Sequence, residues 1–131
     1  MMDRPMSFSR ILIATVFALG LAVIAGCGPQ PQLSYQADIR PILKKNCYEC
    51  HLPGGQGYEK SGFSLGSYEH LMKGTKFGEV IIPGSSISSS LYLMIAGKTD
   101  PSIRMPYHGM PLSEQEIETI KIWIDQGAKN N

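Results

Sequence analysis

The stretch Cys47-Tyr48-Glu49-Cys50-His51 gathers the most reactive side chains of this sequence. Two thiols stand three positions apart, and an imidazole follows the second with no gap. Three chemistries use such a pair. A structural zinc ion needs four ligands, normally two pairs. No second Cys-x-x-Cys or His-x-x-x-His exists, and His70 and His108 stand alone. A thioredoxin-like dithiol wants a βαβ setting, and no strand alternation of useful length is present. That chemistry also leaves His51 without a task. Covalent haem attachment uses all three residues. Each thiol adds across one vinyl group and leaves a thioether. The spacing keeps both sulfurs on one rim of the macrocycle, and His51 reaches under the ring to the iron. Cys-x-x-Cys-His is the attachment signature of one covalent haem c. Cys47, Cys50 and His51 are therefore the cofactor-binding residues, with His51 on the iron.

An electron-transferring iron of this type takes a second axial ligand, and methionine there raises the potential. The segment Arg104-Met105-Pro106-Tyr107-His108-Gly109-Met110-Pro111 offers three candidates. A ligand loop must swing from the start of the last helix, at Ser113, to the far face of the haem. Met105 is eight residues from that cap and Met110 only three, so Met105 is the expected ligand. Met110 and His108 are the alternatives. Met72 and Met94 fall on helical faces and read as core packing. His70 reads as a solvent or core histidine. The serines from Ser85 to Ser90 form a polar loop with a helix cap; without a Gly-x-Ser-x-Gly they make no nucleophile site. No catalytic residue is assigned. Lys44 and Lys45 are either a docking patch for a redox partner or a solvated helix face.

These residues need elements to position them. Tyr35, Ile39, Ile42 and Leu43 share one helical face. Pro41 lies inside that run, so regular helix should start shortly before it, where a missing N–H costs little. The glycines of residues 53–62 read as a loop. Residues 66–74 read as a short helix between glycines, and residues 76–86 as extended with a turn at Pro83-Gly84. Residues 88–97 read as a helix with Ser88 or Ser89 as N-cap and Gly97 as its stop. The last helix is the clearest. Ser113 and Glu116 make a capping box, Ile117, Ile120, Trp123 and Ile124 share one face, and Gly127 suits the C-terminal cap. The expected fold is all-α, with about four to five short helices around one haem.

The chain has 131 residues. Arg4 and Arg10 precede an apolar run from Ile11 to Ala25, the pattern of an export signal. The run is short for a spanning helix, which takes about 20 residues. It ends in Ile24-Ala25-Gly26-Cys27, which resembles the lipobox of bacterial lipoproteins. That resemblance implies cleavage after residue 26 and acyl chains on Cys27. An ordinary secretory signal or a slightly short membrane anchor is the alternative, and each places the rest of the chain outside the cytoplasm. With Cys27 on lipid, Cys47 and Cys50 leave no odd thiol. Residues 27–34 then read as a lipidated tether, rich in Pro and Gln and roughly 20 Å long if extended, and 35–131 as the domain. Ten basic and ten acidic residues remain after residue 26. A balance near zero carries no nucleic-acid footprint.

The segments DIRPILKKNCYECH, GFSLGSYEHLMKG, VIIPGSSISSSLYLMI and RMPYHGMPLSEQEIETIKIWIDQGA resemble class I c-type cytochromes, and most closely the planctomycete-type cytochrome c domain. Together they cover nearly all of residues 35–129. The resemblance implies a helical wrap in which N- and C-terminal helices cross over a haem edge. It implies Met105 as distal ligand, from the first Met-Pro after the penultimate helix. Tyr107 stands where the family often has a second proline, and a second Met-Pro follows at Met110. The expected function is one-electron transfer outside the cytoplasm, on the periplasmic side of a bacterial membrane, between redox partners held at that membrane. Gly28, in place of the aspartate linked in some bacteria to inner-membrane retention, points by this one position to the outer membrane. The rival expectations are a five-coordinate haem domain that binds small ligands or acts on peroxide, and a haem subunit of a larger oxidoreductase.

Overall fold

The computed structural model describes Gly28 and residues 30–131; Cys27 and the leader before it lie outside the described residues. Ser34 opens the first helical stretch. Its hydroxyl accepts from the Ala37 N–H at 3.2 Å, and its own N–H donates to Asp38 Oδ2 at 2.7 Å. The first turn, Tyr35–Ile39, is π-wound, and α1 follows over Arg40–Asn46 with Pro41 in its first turn. Regular helix thus begins one residue before the proline, as expected from its missing donor.

Cys47 breaks the helix, and α2 is a single turn over Tyr48–His51. The expected loop at 53–62 is largely helical instead: α3 runs from Gln56 to Ser61. The glycines are its boundaries rather than its breakers. Gly55 is extended at the N-cap, and Gly62 is left-handed at φ 71°, a conformation with no side-chain penalty for glycine. Helix α4, Tyr68–Lys73, is capped by the Ser67 side chain. A 3₁₀ turn, Ser86–Ser88, leads into α5, Ser90–Ile95. Ser89 takes the N-cap position, but its buried hydroxyl does other work. It accepts from the Ile82 N–H at 2.8 Å and donates to the Ser85 carbonyl at 2.8 Å, closing the Pro83-Gly84 turn. A second 3₁₀ turn, Pro101–Ile103, precedes the Met-Pro segment, and α6 spans Glu114–Asp125. Among the described residues the six α-helices exceed the expected four to five by the single-turn α2 and by α3, whose glycines read as a loop. Among the described residues there is no strand, only an isolated bridge between Thr75 and Gly78.

The core forms where the first helical stretch meets α6. Tyr35, Ile39 and Leu43 are buried against Ile120, Trp123 and Ile124. The Tyr35 and Trp123 rings lie 5.8 Å apart, and Tyr68 meets Tyr35 edge-on at 5.2 Å. Each such side chain contributes about 1.5–3 kcal/mol by leaving water. Their polar atoms are satisfied: Trp123 Nε1 donates to the Lys129 carbonyl, and the Tyr68 hydroxyl to the Ala128 carbonyl. Ile42 and Ile117, at the edges of the two stripes, are partly buried.

The capping box of α6 does a second job. Glu116 Oε2 accepts from the Ser113 N–H at 2.9 Å, while Oε1 accepts from Lys45 Nζ at 3.0 Å and Asn46 Nδ2 at 3.3 Å. These donors hold the carboxyl far below its ordinary range, at about 2. One side chain therefore caps α6 and ties it to the end of α1, directly before Cys47. Lys45 is used in this tie.

Residues 31–34, assigned above to the tether, belong to the compact unit that starts at Pro31. The Gln126 side chain accepts from the Leu33 N–H at 2.8 Å and donates to the Pro31 carbonyl at 3.1 Å. Asn131 brackets the next residues, donating to the Leu33 carbonyl and accepting from the Tyr35 N–H at 3.0 Å.

Candidate haem site

Cys50 and His51 lie in α2 and Cys47 is its N-cap, its carbonyl accepting from the N–H of both at 3.2 and 3.0 Å, so the three stand at i, i+3 and i+4 around one turn. Both thiols are free; Cys47 is half-buried and Cys50 exposed. Burial pushes the Cys47 thiol up to about 11, helped by Cys50 and Glu116 nearby. Among the described residues no group of three or more His, Cys, Asp or Glu converges as a metal-ion cage, so the three do not close on a common point as zinc would require.

His51 is held from three sides. Its carbonyl accepts from the Leu65 N–H at 2.9 Å. The Phe63 ring meets the imidazole edge-on at 5.2 Å. The third side is Gly57 in α3. A Cβ at that position would stand 2.6 Å from Cε1 and 2.9 Å from both Nδ1 and Nε2 of the ring. The imidazole occupies the space that any larger residue would fill. Gly55 permits the same closeness two residues earlier, where a Cβ would lie 2.5 Å from the Cys50 carbonyl oxygen. Ser61 directs the chain toward Phe63: its hydroxyl donates to the Gly57 carbonyl at 2.6 Å and accepts from the Phe63 N–H at 3.2 Å.

Burial lowers the pKa of His51, and the Phe63 backbone carbonyl opposes this in part. The ring is therefore neutral at pH 7, the form whose free nitrogen binds iron. Nδ1 is buried and makes no hydrogen bond of ordinary geometry. Buried polar atoms without partners are rare, and a neutral imidazole keeps one nitrogen lone pair, the donor a haem iron needs. Two free thiols on the same face complete the set. The residues present fit a covalent haem.

The Met-Pro segment is anchored separately. Asp100 caps the Pro101–Ile103 turn by accepting from the Ser102 N–H at 2.9 Å. The Met105 N–H donates to the Met94 carbonyl at the end of α5 at 3.3 Å, and the Met105–Pro106 peptide is cis. Arg104 lies across Gly97, where a Cβ would come within 2.8 Å of its guanidinium. An open cleft of about 420 Å³ is bounded by Arg104, Met105, Pro106, Tyr107 and His108. Lys60 Nζ of α3 stands 5.9 Å from the centre of the Tyr107 ring, so this loop lies beside the helix that backs His51.

The three candidate distal ligands separate by burial. Met105 is partly buried against the core, while Met110 is 87 % exposed. His108 is exposed and takes a positive φ of 55° at the tip of the loop. Gly57 and Phe63 were not singled out from the sequence. Three glycines among residues 54–57 were the available signal, but glycine spacing alone does not tell a loop from a close approach.

Residues 47–108, from the first thiol through the Met105 loop, match the family model described as Planctomycete cytochrome C, so this segment, just under half of the chain, is similar to a cytochrome c domain. Such a domain binds haem c covalently and carries electrons. The match ends before α6, which the resemblance above included. No curated protein and no solved structure matches the chain.

Proposed function

We infer that this chain is a single-haem electron carrier working outside the cytoplasm, lipid-anchored through Cys27, with His51 and Met105 as the axial pair. The observation that carries the reading is the one-turn face of Cys47, Cys50 and His51 with the imidazole seated on Gly57. A single Cys-x-x-Cys-His in the sequence supports one haem. The bound haem supplies the one-electron iron couple.

The residues supply rigidity and orientation. The two thiols anchor one rim, and the hydrogen in each S–H goes to the vinyl carbon that does not bond to sulfur. Gly57, Phe63 and the His51 carbonyl contact fix the imidazole in one place. Held in that way, His51 keeps its position whichever charge the iron bears, which lowers the reorganisation that slows electron transfer. Met105 is the distal choice because its backbone is pinned to Met94 and its side chain is half-buried. Met110 has neither support.

The test is a visible spectrum of the reduced protein with and without carbon monoxide, paired with intact mass of the exported chain. Unchanged bands and the added mass of one haem support the proposal. A prompt spectral shift would show an open iron and transfer the assignment to the ligand-binding alternative.

A further inference from the structure

We propose that the domain rests on the lipid surface through the end formed by the C-terminus of α6 and the Ile82–Ile87 turn, with the haem-attachment end pointing away. The proposal rests on the reading of Cys27 as lipidated and adds an orientation to it.

The first observation is where the chain enters the domain. Residues 31–35 are bracketed by the amides of Gln126 and Asn131. Besides the bonds given above, Gln32 Nε2 donates to Gln126 Oε1 at 3.0 Å, and the Gln36 N–H donates to the Asn131 carbonyl at 3.2 Å. The free connection from Cys27 therefore ends at Pro31. Four residue steps span about 12 Å in an extended PPII-like conformation, against roughly 20 Å for a tether reaching Ser34. That shorter reach holds the C-terminal end of α6 close to the acyl chains.

The second observation is what that end displays. The Gly84 N–H donates to the Ile124 carbonyl at 2.8 Å. The Ser86 N–H and hydroxyl donate to the two carboxylate oxygens of Asp125 at 2.8 and 3.0 Å. These bonds fasten the 82–87 turn to the same end of α6 that holds the strap. The turn presents Ile87, 76 % exposed, and Ile82, 37 % exposed. Ile87 lies open to water at the tip of an ordered polar turn, apolar area that a lipid surface beside the anchor would cover. Asp125, which anionic headgroups would otherwise repel, is occupied by Ser86 and lies 3.8 Å from Lys121 Nζ. The exposed side chain of Lys129 completes a face compatible with such headgroups.

The third observation gives the direction. Glu116, which grips Lys45 and Asn46 beside Cys47, is ten residues before Gln126 on α6. At about 1.5 Å per residue, that places the attachment end roughly 15 Å farther along the helix axis. The cleft at Met105 has its own exposed apolar residues, Ile103 and Met110, and Phe77 is exposed on a separate turn, so labelling at either place speaks against the orientation.

The experiment uses the exported, haem-loaded protein in phosphatidylethanolamine–phosphatidylglycerol vesicles containing a phospholipid with a photoactivatable acyl chain. After illumination, adducts are mapped by peptide mass. Several-fold more labelling on residues 80–89 than on residues 101–110 is expected. The Ile87→Ser variant, altered only at a solvent-facing position, should lose most of that labelling yet still float with the vesicles. Labelling concentrated on Ile103 and Met110, or spread evenly, overturns the orientation while an acylated Cys27 in the intact mass leaves the anchor standing. Crosslinking of Ile87 to a second copy without vesicles also overturns it. A mass lacking acyl chains removes the anchor, and the orientation falls with it.

Discussion

Gly57→Ala separates helix propensity from the demands of the site. Gly57 lies inside α3 with no positive φ, so local energetics favour alanine by about 0.5–1 kcal/mol. The structure predicts the opposite sign. The new methyl would lie 2.6–2.9 Å from three atoms of the His51 ring, hence over its face. Carbon contacts settle near about 3.5–4.0 Å, so the ring or α3 must retreat by roughly 1 Å. Retreat of α3 is resisted just before its start, where the Gly55 N–H is bonded to the Leu52 carbonyl at 2.8 Å. Overpacking of this kind costs about 1–3 kcal/mol, leaving a net loss of up to about 2.5 kcal/mol after the propensity gain. The displaced imidazole should also weaken its bond to iron. The assay is thermal unfolding of the haem-loaded variant together with its ferric and ferrous spectra. A lower melting temperature with altered haem bands is expected. Gly54→Ala is the control, since Gly54 has φ 91° and open space around a Cβ. It should cost stability through backbone strain and leave the bands alone. A Gly57→Ala protein that melts higher than the parent with unchanged spectra would refute the reasoning.

Met105→Ala should abolish the sulfur-to-iron absorption of the ferric protein, whereas Met110→Ala should leave it intact; loss only in the second variant would reassign the ligand. Glu116→Gln should destabilise the protein at pH 7 by on the order of 1 kcal/mol, since water screens part of the Lys45 pairing. The Glu116 carboxyl is depressed on folding, from near 4.5 to about 2. Its contribution is thus fully present above 4.5 and lost as pH falls through about 2. The gap between parent and variant in thermal unfolding should therefore close across that window, and a gap that persists at pH 2 would count against the clamp. Trp123→Ala should cost about 3–5 kcal/mol, because the ring is buried against Tyr35 and its Nε1 is bonded to the Lys129 carbonyl. Denaturant unfolding measures it.

Much of the frame was legible because it rests on local rules. The Ser113/Glu116 cap, the apolar stripe of α6 and the shift to regular helix at Pro41 each follow from residues within a turn or two of one another. The attachment face is equally local, since a spacing of three and four converts directly into one side of a helix. Helix α3 was missed because its glycines are there for contacts with His51 and Cys50. Those neighbours follow in the fold rather than in the periodicity of residues 53–62. The second role of Glu116 was hidden for a similar reason: its partners, Lys45 and Asn46, are about seventy positions away.

The haem chemistry itself was therefore written in Cys47, Cys50 and His51, because covalent attachment needs only neighbours on one turn. What needed the folded chain was everything that holds the imidazole still and sets the burial of Met105 apart from that of Met110. Phe63, Gly57 and the pinned backbone of Met105 act through space, and the order of residues along the chain does not encode which distant surfaces will meet. The strap of residues 31–34 shows the same division: its composition reads as a tether, and two amides near the other end of the chain make part of it domain.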